Sequence, residues 1–321
     1  MGYNREDYVR IKTEYTNKYL KARQAAEQRR QDIYTKIPEV RRIDAVLAGT
    51  GNEIMRIITA GKQGTEEKIA ALKSRNDKLI AERATLLLAN GYPEDYSDIR
   101  YECDKCADSG YVDGRMCECM KRALVLAGYQ SSGLGGLIRT QSFDNFSLDY
   151  YKNGGNADVM QMFVASLKGF AESFSSDTYR NYLLMGGTGL GKTHISTAVA
   201  KTVIDRGYDV LYVTALGMLG DFEEKRFGGG EEVKSTARYY DADLLIIDDL
   251  GTEMVNQFTL SCLYDVINSR INNRKCTFIN TNLNKKEIES KYSERITSRL
   301  FGEYYPLPFS GVDIRKQKMK R

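Results

Sequence analysis

Residues Gly186-Gly187-Thr188-Gly189-Leu190-Gly191-Lys192-Thr193 spell a complete G-x-x-x-x-G-K-[ST] octet. The run before it, Asn181-Tyr-Leu-Leu-Met185, is short, apolar and of strand character. The stretch after it, from His194 to Arg206, is rich in helix formers and closes at Gly207. Strand, glycine loop and helix in that order give the octet a phosphate-binding mechanism. Gly186, Gly189 and Gly191 let backbone N–H groups curl around phosphate oxygens, and the helix N-terminus adds its partial positive charge. Lys192 is expected to reach the β- and γ-phosphates and Thr193 to offer its hydroxyl to Mg²⁺, with His194 beside them in the first helical turn. The alternative, a glycine turn that binds nothing, leaves this context unexplained.

Downstream, Leu244-Leu-Ile-Ile247 leads into Asp248-Asp249. This reads as a buried parallel strand delivering two carboxylates at its C-terminal end, where α/β sheets place their ligands. Asp248 is expected to hold Mg²⁺, and Asp249 to orient or deprotonate an attacking water. Cys276-Thr-Phe-Ile-Asn-Thr281 is a further strand ending at Asn282, a polar group at a strand tip that is placed to sense a γ-phosphate. Arg295 and Arg299 stand four apart on one helix face. They form either a solvated basic stripe or an arginine finger directed at a neighbouring subunit. From about residue 159 to 321 strands alternate with helices, so an α/β domain with a parallel sheet covered on both faces is expected.

The flanking regions differ in kind. Residues 1–95 read as a helical partner-binding region, with Tyr8, Ile11, Tyr15 and Tyr19 on one stripe, and Val40, Ile43 and Leu47 on another after Pro38. Ile69, Leu72, Asn76, Leu79, Arg83 and Leu86 follow heptad spacing with a polar residue at a core position. Either a short coiled coil or an ordinary amphipathic helix produces that pattern. Residues 96–125 contain Cys103-x2-Cys106 and Cys117-x-Cys119, two close thiol pairs that suit a tetrahedral, structural four-cysteine zinc site. Cys262 and Cys276 read as core residues. Residues 126–158 are glycine-rich and read as an irregular linker.

Composition narrows the chemistry. The chain has 321 residues, long enough for about two domains. Its 47 lysines and arginines against 43 acidic residues leave a net charge of only +4, so local patches must decide nucleic-acid binding. With one histidine and no tryptophan, a catalytic histidine would have to be His194. No apolar run is long enough for a membrane span, and the first residues are polar, so a cytoplasmic protein without membrane contact is expected. Lys225-Arg226-Phe227, followed by three glycines, pairs cations with a ring, as sequence-independent single-stranded DNA binding requires. A plain surface loop would look much the same. Arg315 to Arg321 carries five positive charges in seven residues.

These stretches together resemble a family. GGTGLGKTHIS, LLIIDDLGTE, INTNL, SERITSRLFGEY and GVDIR are similar to the bacterial helicase loaders DnaC and DnaI, AAA+ ATPases related to the transposition helper IstB. The resemblance covers about residues 140–315, and CDKCADSGYVDGRMCECMKR extends it toward the DnaI-like loaders with their zinc-bearing, helicase-binding N-terminal half. It implies an AAA+ fold with ATP, Mg²⁺ and Zn²⁺ as cofactors. It assigns Asn282 as sensor 1, Arg299 as arginine finger and Arg315 as sensor 2. It further implies a hexameric DnaB-type replicative helicase and single-stranded DNA as partners, with self-assembly through AAA+ interfaces on the helicase. The second Walker B carboxylate is Asp249 rather than glutamate, so slow hydrolysis is expected. An IstB-like transposition helper is the nearest rival. A nucleic-acid adaptor with a vestigial P-loop and a metabolic P-loop kinase are more distant ones.

Overall fold

A computed structural model describes residues 3–60, 64–152, 156–227 and 236–319. The chain separates into two compact units, one comprising residues 12–117 and the other residues 1–11 with 118–321.

Helix α1 (Arg5–Lys36) stops where proline forces it to. Ile37, which precedes Pro38, is driven out of the helical region to φ −133° and ψ 79°. Pro38 then opens α2 (Pro38–Ala48), which α3 (Thr50–Thr59) and α4 (Thr65–Ala89) follow. Of the heptad positions Ile69, Leu72, Asn76, Leu79, Arg83 and Leu86, Leu72 is buried and the others are half-buried, and α4 packs on α2 and α3. The polar members of the seam find partners within the chain. Asn76 Nδ2 donates to Thr50 Oγ1 at 3.0 Å, and Arg83 Nε donates to Asp44 Oδ1 at 2.8 Å. Of the two readings of this pattern, the amphipathic helix packed inside its own unit is the one observed. Ile33, Ile37, Val40 and Leu87 form the apolar centre. Beyond it lies a hairpin of β1 (Tyr111–Val112) and β2 (Arg115–Met116), joined by Asp113-Gly114 at φ 48° and 74°. Positive φ at both turn positions is the requirement of a two-residue type I′ turn.

The second unit runs α5 (Glu118–Ser131), α6 (Leu137–Thr140), α7 (Asp149–Lys152), α8 (Ala157–Ser173), β3 (Asn181–Met185), α9 (Lys192–Asp205), β4 (Val210–Thr214) and α10 (Ala215–Phe227). It continues with α11 (Arg238–Asp241), β5 (Leu244–Leu250), α12 (Gln257–Asn272), β6 (Cys276–Thr281), α13 (Lys285–Lys291), α14 (Glu294–Glu303), β7 (Tyr304–Pro308) and α15 (Ile314–Lys318). The sheet order is β4-β5-β6-β3-β7, and every pairing is parallel. Side chains alternate between two cores, as the pleat dictates. Tyr182, Leu184, Leu244, Ile246 and Phe278 join one cluster with Leu167, Phe170, Ile195 and Val199. Leu183, Leu245, Ile247 and Ile279 join the other with Met218, Val266, Ile267 and Ile296. The expected α/β domain with both sheet faces covered is therefore observed.

Two stretches differ from the sequence reading. Residues 126–158 are not irregular throughout. They complete α5, form α6 and α7, and bury Leu134, Ile138 and Tyr151 in the first cluster. The glycines there serve close packing. Gly133 sits at φ 80°, a Cβ on it would fall 2.3 Å from the Tyr212 carbonyl oxygen, and Tyr212 N donates to Ser132 O at 2.7 Å. Strand β7 is the second difference, because Tyr304-Tyr-Pro-Leu-Pro308 carries two prolines and does not read as a strand. Prolines are tolerated at a sheet edge, which is where β7 lies, beside β3.

Leu87 is fully buried and its neighbour Leu88 is 57% exposed. Leu87→Ala should lower stability by about 2–5 kcal/mol, and Leu88→Ala by about 0.5 kcal/mol at most. Urea denaturation of the two variants tests this placement of the core.

Candidate functional site

Loop 186–191 leaves β3 at the carboxyl edge of the sheet, where the strand order reverses between β6 and β7. Gly186 adopts φ 141°, and a Cβ there would lie 2.2 Å from the Phe309 carbonyl oxygen. Gly189 adopts φ 73° and faces the Asp313 carboxylate just as closely. Helix α9 starts at Lys192, so its first N–H groups face the loop. Lys192 is only 6% exposed. Its Nζ donates to the carbonyls of Gly186 (2.6 Å) and Gly187 (2.8 Å), and to Asn282 Oδ1 (2.8 Å). Burial lowers its pKa to about 8, against an opposing pull from Asp248 and Asp249.

Asp248 is the best-satisfied acid of the site. It is 4% exposed. Its Oδ2 accepts from Thr193 Oγ1 at 3.0 Å and from the Tyr212 hydroxyl, and its Oδ1 accepts from Asn280 Nδ2 at 2.9 Å and from Asp249 N at 3.0 Å. Asp249 is exposed, at φ 55°, a left-handed conformation that aspartate tolerates. The strand register shifts between Ile247 and Leu250, so the two adjacent carboxylates face different surroundings. Partial desolvation, and then the charge of Asp248, raise the Asp249 pKa from its ordinary value. Thr193 and Asp248 present two hard oxygens side by side, the donor set that Mg²⁺ takes.

A cleft of about 420 Å³ collects the remaining residues. Its lining includes Thr188, Leu190, Lys192, Thr193, His194, Asp249, Asn282 and Arg315. Arg315 is brought there by α15, which is tied to the loop by Ile314 N donating to Gly189 O at 2.9 Å. Arg295 and Arg299 are not among its lining residues. Arg299, on α14, donates through Nε to Asn268 Oδ1 at 3.0 Å. Lys225 and Arg226 close α10 in intramolecular contacts. Lys225 Nζ donates to Thr236 Oγ1 at 2.9 Å, and the Arg226 guanidinium lies 5.2 Å from the Phe258 ring centre. The Phe227 side chain and Gly228 to Gly230 lie outside the described residues, as do Lys320 and Arg321.

Cys103, Cys106, Cys117 and Cys119 place their four sulfurs within 4.8 Å of one another. Tetrahedral ligation at Zn–S distances of about 2.3 Å needs sulfurs roughly 3.8 Å apart, and Cys103 and Cys117 stand 4.0 Å apart. Hydrogen bonds shape the loop that carries the cysteines. The buried Asp108 carboxylate accepts from the N–H groups of Glu102 (2.9 Å) and Cys103 (2.8 Å), and Cys117 N donates to Gly110 O at 2.8 Å. Four thiolates around one point suit Zn²⁺, which these residues would hold in a structural role.

Sequence reasoning misses two parts of the site. Tyr212 and Asn280 hold Asp248, yet in sequence they are ordinary members of buried strands. Leu137, Gln141, Asn145, Phe146, Ser147 and Tyr150 line the cleft from the segment that reads as a linker. The rings and amides in Gln141-Ser-Phe-Asp-Asn-Phe-Ser-Leu-Asp-Tyr-Tyr151 are the available signal.

Residues 141–300 match the family described as IstB-like ATP binding protein. The chain is similar to the replicative helicase loader DnaC of Buchnera aphidicola subsp. Acyrthosiphon pisum, at 24% identity over 172 residues. That match covers 53% of this chain and 66% of the relative, just under two thirds of its length. It is similar to the protein of the same name from Escherichia coli K12, at 22% identity over 195 residues covering 60% and 76%. Among solved structures, a DnaC helicase loader aligns with 54% of this chain and 98% of its own, at TM-score 0.47 and 18% identity. A DnaI structure aligns with 56% and 94%, at TM-score 0.46 and 19% identity.

The low pKa of Lys192 generates a pH prediction. Its folded pKa of about 8 lies below the ordinary value of 10.5, so the unfolded chain keeps a proton that the native protein releases. Lys192 therefore adds stability, on the order of 3 kcal/mol, as pH rises from about 8 to 10.5. Phosphate binding favours the charged amine, so nucleotide affinity should fall as pH rises above about 8. Calorimetric titration across that range is the check, and a flat affinity would refute the lysine–phosphate contact.

Proposed function

We propose that this chain is an ATP-dependent helicase loader, a reading supported by the match of residues 141–300 to the IstB-like ATP binding proteins and by its similarity to proteins named replicative helicase loader DnaC. In this reading it binds the hexameric replicative DNA helicase and delivers it onto single-stranded DNA, in the cytoplasm. The main support is the convergence of Lys192, Thr193, Asp249, Asn282 and Arg315 on one cleft, with Thr193 hydrogen-bonded to the buried Asp248. Among the described residues no helix is long and apolar enough to cross a membrane.

Lys192 holds the β- and γ-phosphates. Thr193 and Asp248 hold Mg²⁺, which when bound neutralises charge on the phosphate oxygens. Asp249 orients the attacking water, and its raised pKa suits it to accept a proton. Asn282 and Arg315 contact the γ-phosphate. Arg299 acts on the nucleotide of the next protomer, so assembly and hydrolysis are coupled. Residues 1–95 and the zinc-bound Cys103, Cys106, Cys117 and Cys119 form the helicase-binding part. Lys225, Arg226 and Phe227 contribute to single-stranded DNA contact. A transposition helper acting with a transposase is the second reading, favoured by the description of the matched family.

Light scattering of the protein mixed with its host's replicative helicase, with and without ATP, tests the loader reading. A complex formed through residues 1–122 is expected, and its absence in both states would favour the transposition helper. Lys192→Ala should abolish ATP binding. Arg299→Ala should spare binding and lower assembly-dependent hydrolysis by about 10³-fold. Unchanged hydrolysis in that variant would remove the finger assignment. Zinc chelation should unfold residues 101–122 and abolish helicase binding while sparing ATP binding. Helicase binding that survives the chelator would end the zinc role.

A further inference from the structure

Asp248 has more donors than an acid that is to hold a metal can keep. An ionised carboxylate offers about four lone-pair sites. Oδ2 takes the Thr193 and Tyr212 hydroxyls, and Oδ1 takes Asn280 Nδ2 and the backbone N–H of Asp249. The chain itself therefore fills every site. A divalent cation, or a water of its shell, reaches Asp248 only through a lone pair of oxygen, so one of these donors has to withdraw.

The other three donors are held in place for their own reasons. Asp249 N is backbone. Asn280 is fully buried, and its Nδ2 is also bonded to Ser196 Oγ at 2.8 Å. Thr193 Oγ1 can offer a lone pair to a cation while its proton stays on Asp248. Tyr212 is different. It stands opposite Ile246 in the β4–β5 ladder, two residues before Asp248, so its side chain leaves the sheet on the same face as the acid. Its ring is packed in the first core cluster, and its backbone N–H is anchored to Ser132 O at 2.7 Å. With the ring fixed, the hydroxyl proton is the part that turns. Thr193 lies within hydrogen-bonding reach of that hydroxyl as the alternative acceptor.

We infer that Tyr212 is a positioning residue of the metal site, whose hydroxyl occupies Asp248 Oδ2 in the absence of metal and yields it when a divalent cation binds. Tyr212 thereby sets how strongly nucleotide binding depends on Mg²⁺. This rests on the ATPase reading of the cleft and adds to it the residue that tunes its metal affinity. Deleting the hydroxyl takes a donor from the metal-free protein alone, so the cation should be held more tightly without it. A merely structural tyrosine predicts the reverse, because its loss would loosen Asp248 and weaken metal binding.

The test is calorimetric titration of the full chain with ATP, in EDTA and over a series of free Mg²⁺ concentrations. Tyr212→Phe keeps the ring and deletes only the hydroxyl. The unaltered protein should bind ATP more tightly with Mg²⁺ than in EDTA. In Tyr212→Phe the Mg²⁺ concentration that gives half of this gain should fall about 10-fold, while affinity in EDTA stays within about 2-fold. Melting temperature is the second readout. Without metal Tyr212→Phe should melt lower than the unaltered protein, because a buried carboxylate has lost a donor. Mg²⁺ with ATP should then raise its melting temperature by more than it raises that of the unaltered protein. If Tyr212→Phe fails to fold, Tyr212→Met takes its place in the same titrations. An unchanged or increased Mg²⁺ requirement in the folded variant overturns the inference. An effect of Tyr212→Phe that persists in an Asp248→Asn background overturns the route through Asp248. ATP binding that gains nothing from Mg²⁺ overturns the inference and leaves the nucleotide site standing, whereas no ATP binding in either condition overturns the ATPase reading as well.

Discussion

The buried carboxylate of Asp248 is the constraint around which the ATP-binding unit is arranged. A carboxylate removed from water must be met by donors, or its burial costs several kcal/mol. Here the donors come from separate elements: Thr193 from α9, Tyr212 from β4, Asn280 from β6, and the backbone of Asp249. Satisfying one acid therefore fixes the spacing of two neighbouring strands and the helix packed on them. Asn280 Nδ2 also reaches Ser196 Oγ at 2.8 Å, a second tie from β6 to α9.

That arrangement explains how one short turn of sequence separates two roles. Asp248 stays buried in its network while Asp249, one residue later, turns out through a left-handed backbone into the cleft. An acid that is to hold a metal would need a fixed orientation, and one that is to orient a water would need access. The register shift at the end of β5 provides both. Lys192 is likewise held by loop carbonyls and Asn282, so its buried cation is surrounded by acceptors.

The parts legible in the sequence are those set by local rules. The octet at 186–193, the apolar run before Asp248 and the paired cysteines each carry their chemistry in spacing alone, and the structure brings each group together. The heptad positions of α4 are equally readable as a shielded face, but not as to partner, because Asn76 and Arg83 are paired by Thr50 and Asp44 from other helices. What escapes depends on long-range contact. Tyr212 and Asn280 become important only when parallel pairing sets them beside Asp248. Gly133 and Gly135 read as part of an irregular linker, whereas Gly133 permits a close backbone approach to β4. Strand β7 is hidden by prolines that its edge position allows.

The same dependence on distant contact governs how the cleft connects to the rest of the unit. Asp249 and Thr252 line the cleft from the loop after β5. That loop continues to Glu253, 4% exposed, whose carboxylate accepts from Gly251 N at 2.9 Å and from the Tyr292 hydroxyl. Lys291 Nζ in turn donates to Gly251 O. Tyr292 and Lys291 stand immediately before α14, the helix that carries Arg295 and Arg299. A buried glutamate bonded at both oxygens gives the loop little freedom to move alone, since each bond broken leaves a buried polar group unpaired. Buried hydrogen bonds therefore tie the loop after β5 to the residues leading into the arginine-bearing helix, although Arg299 does not itself line the cleft.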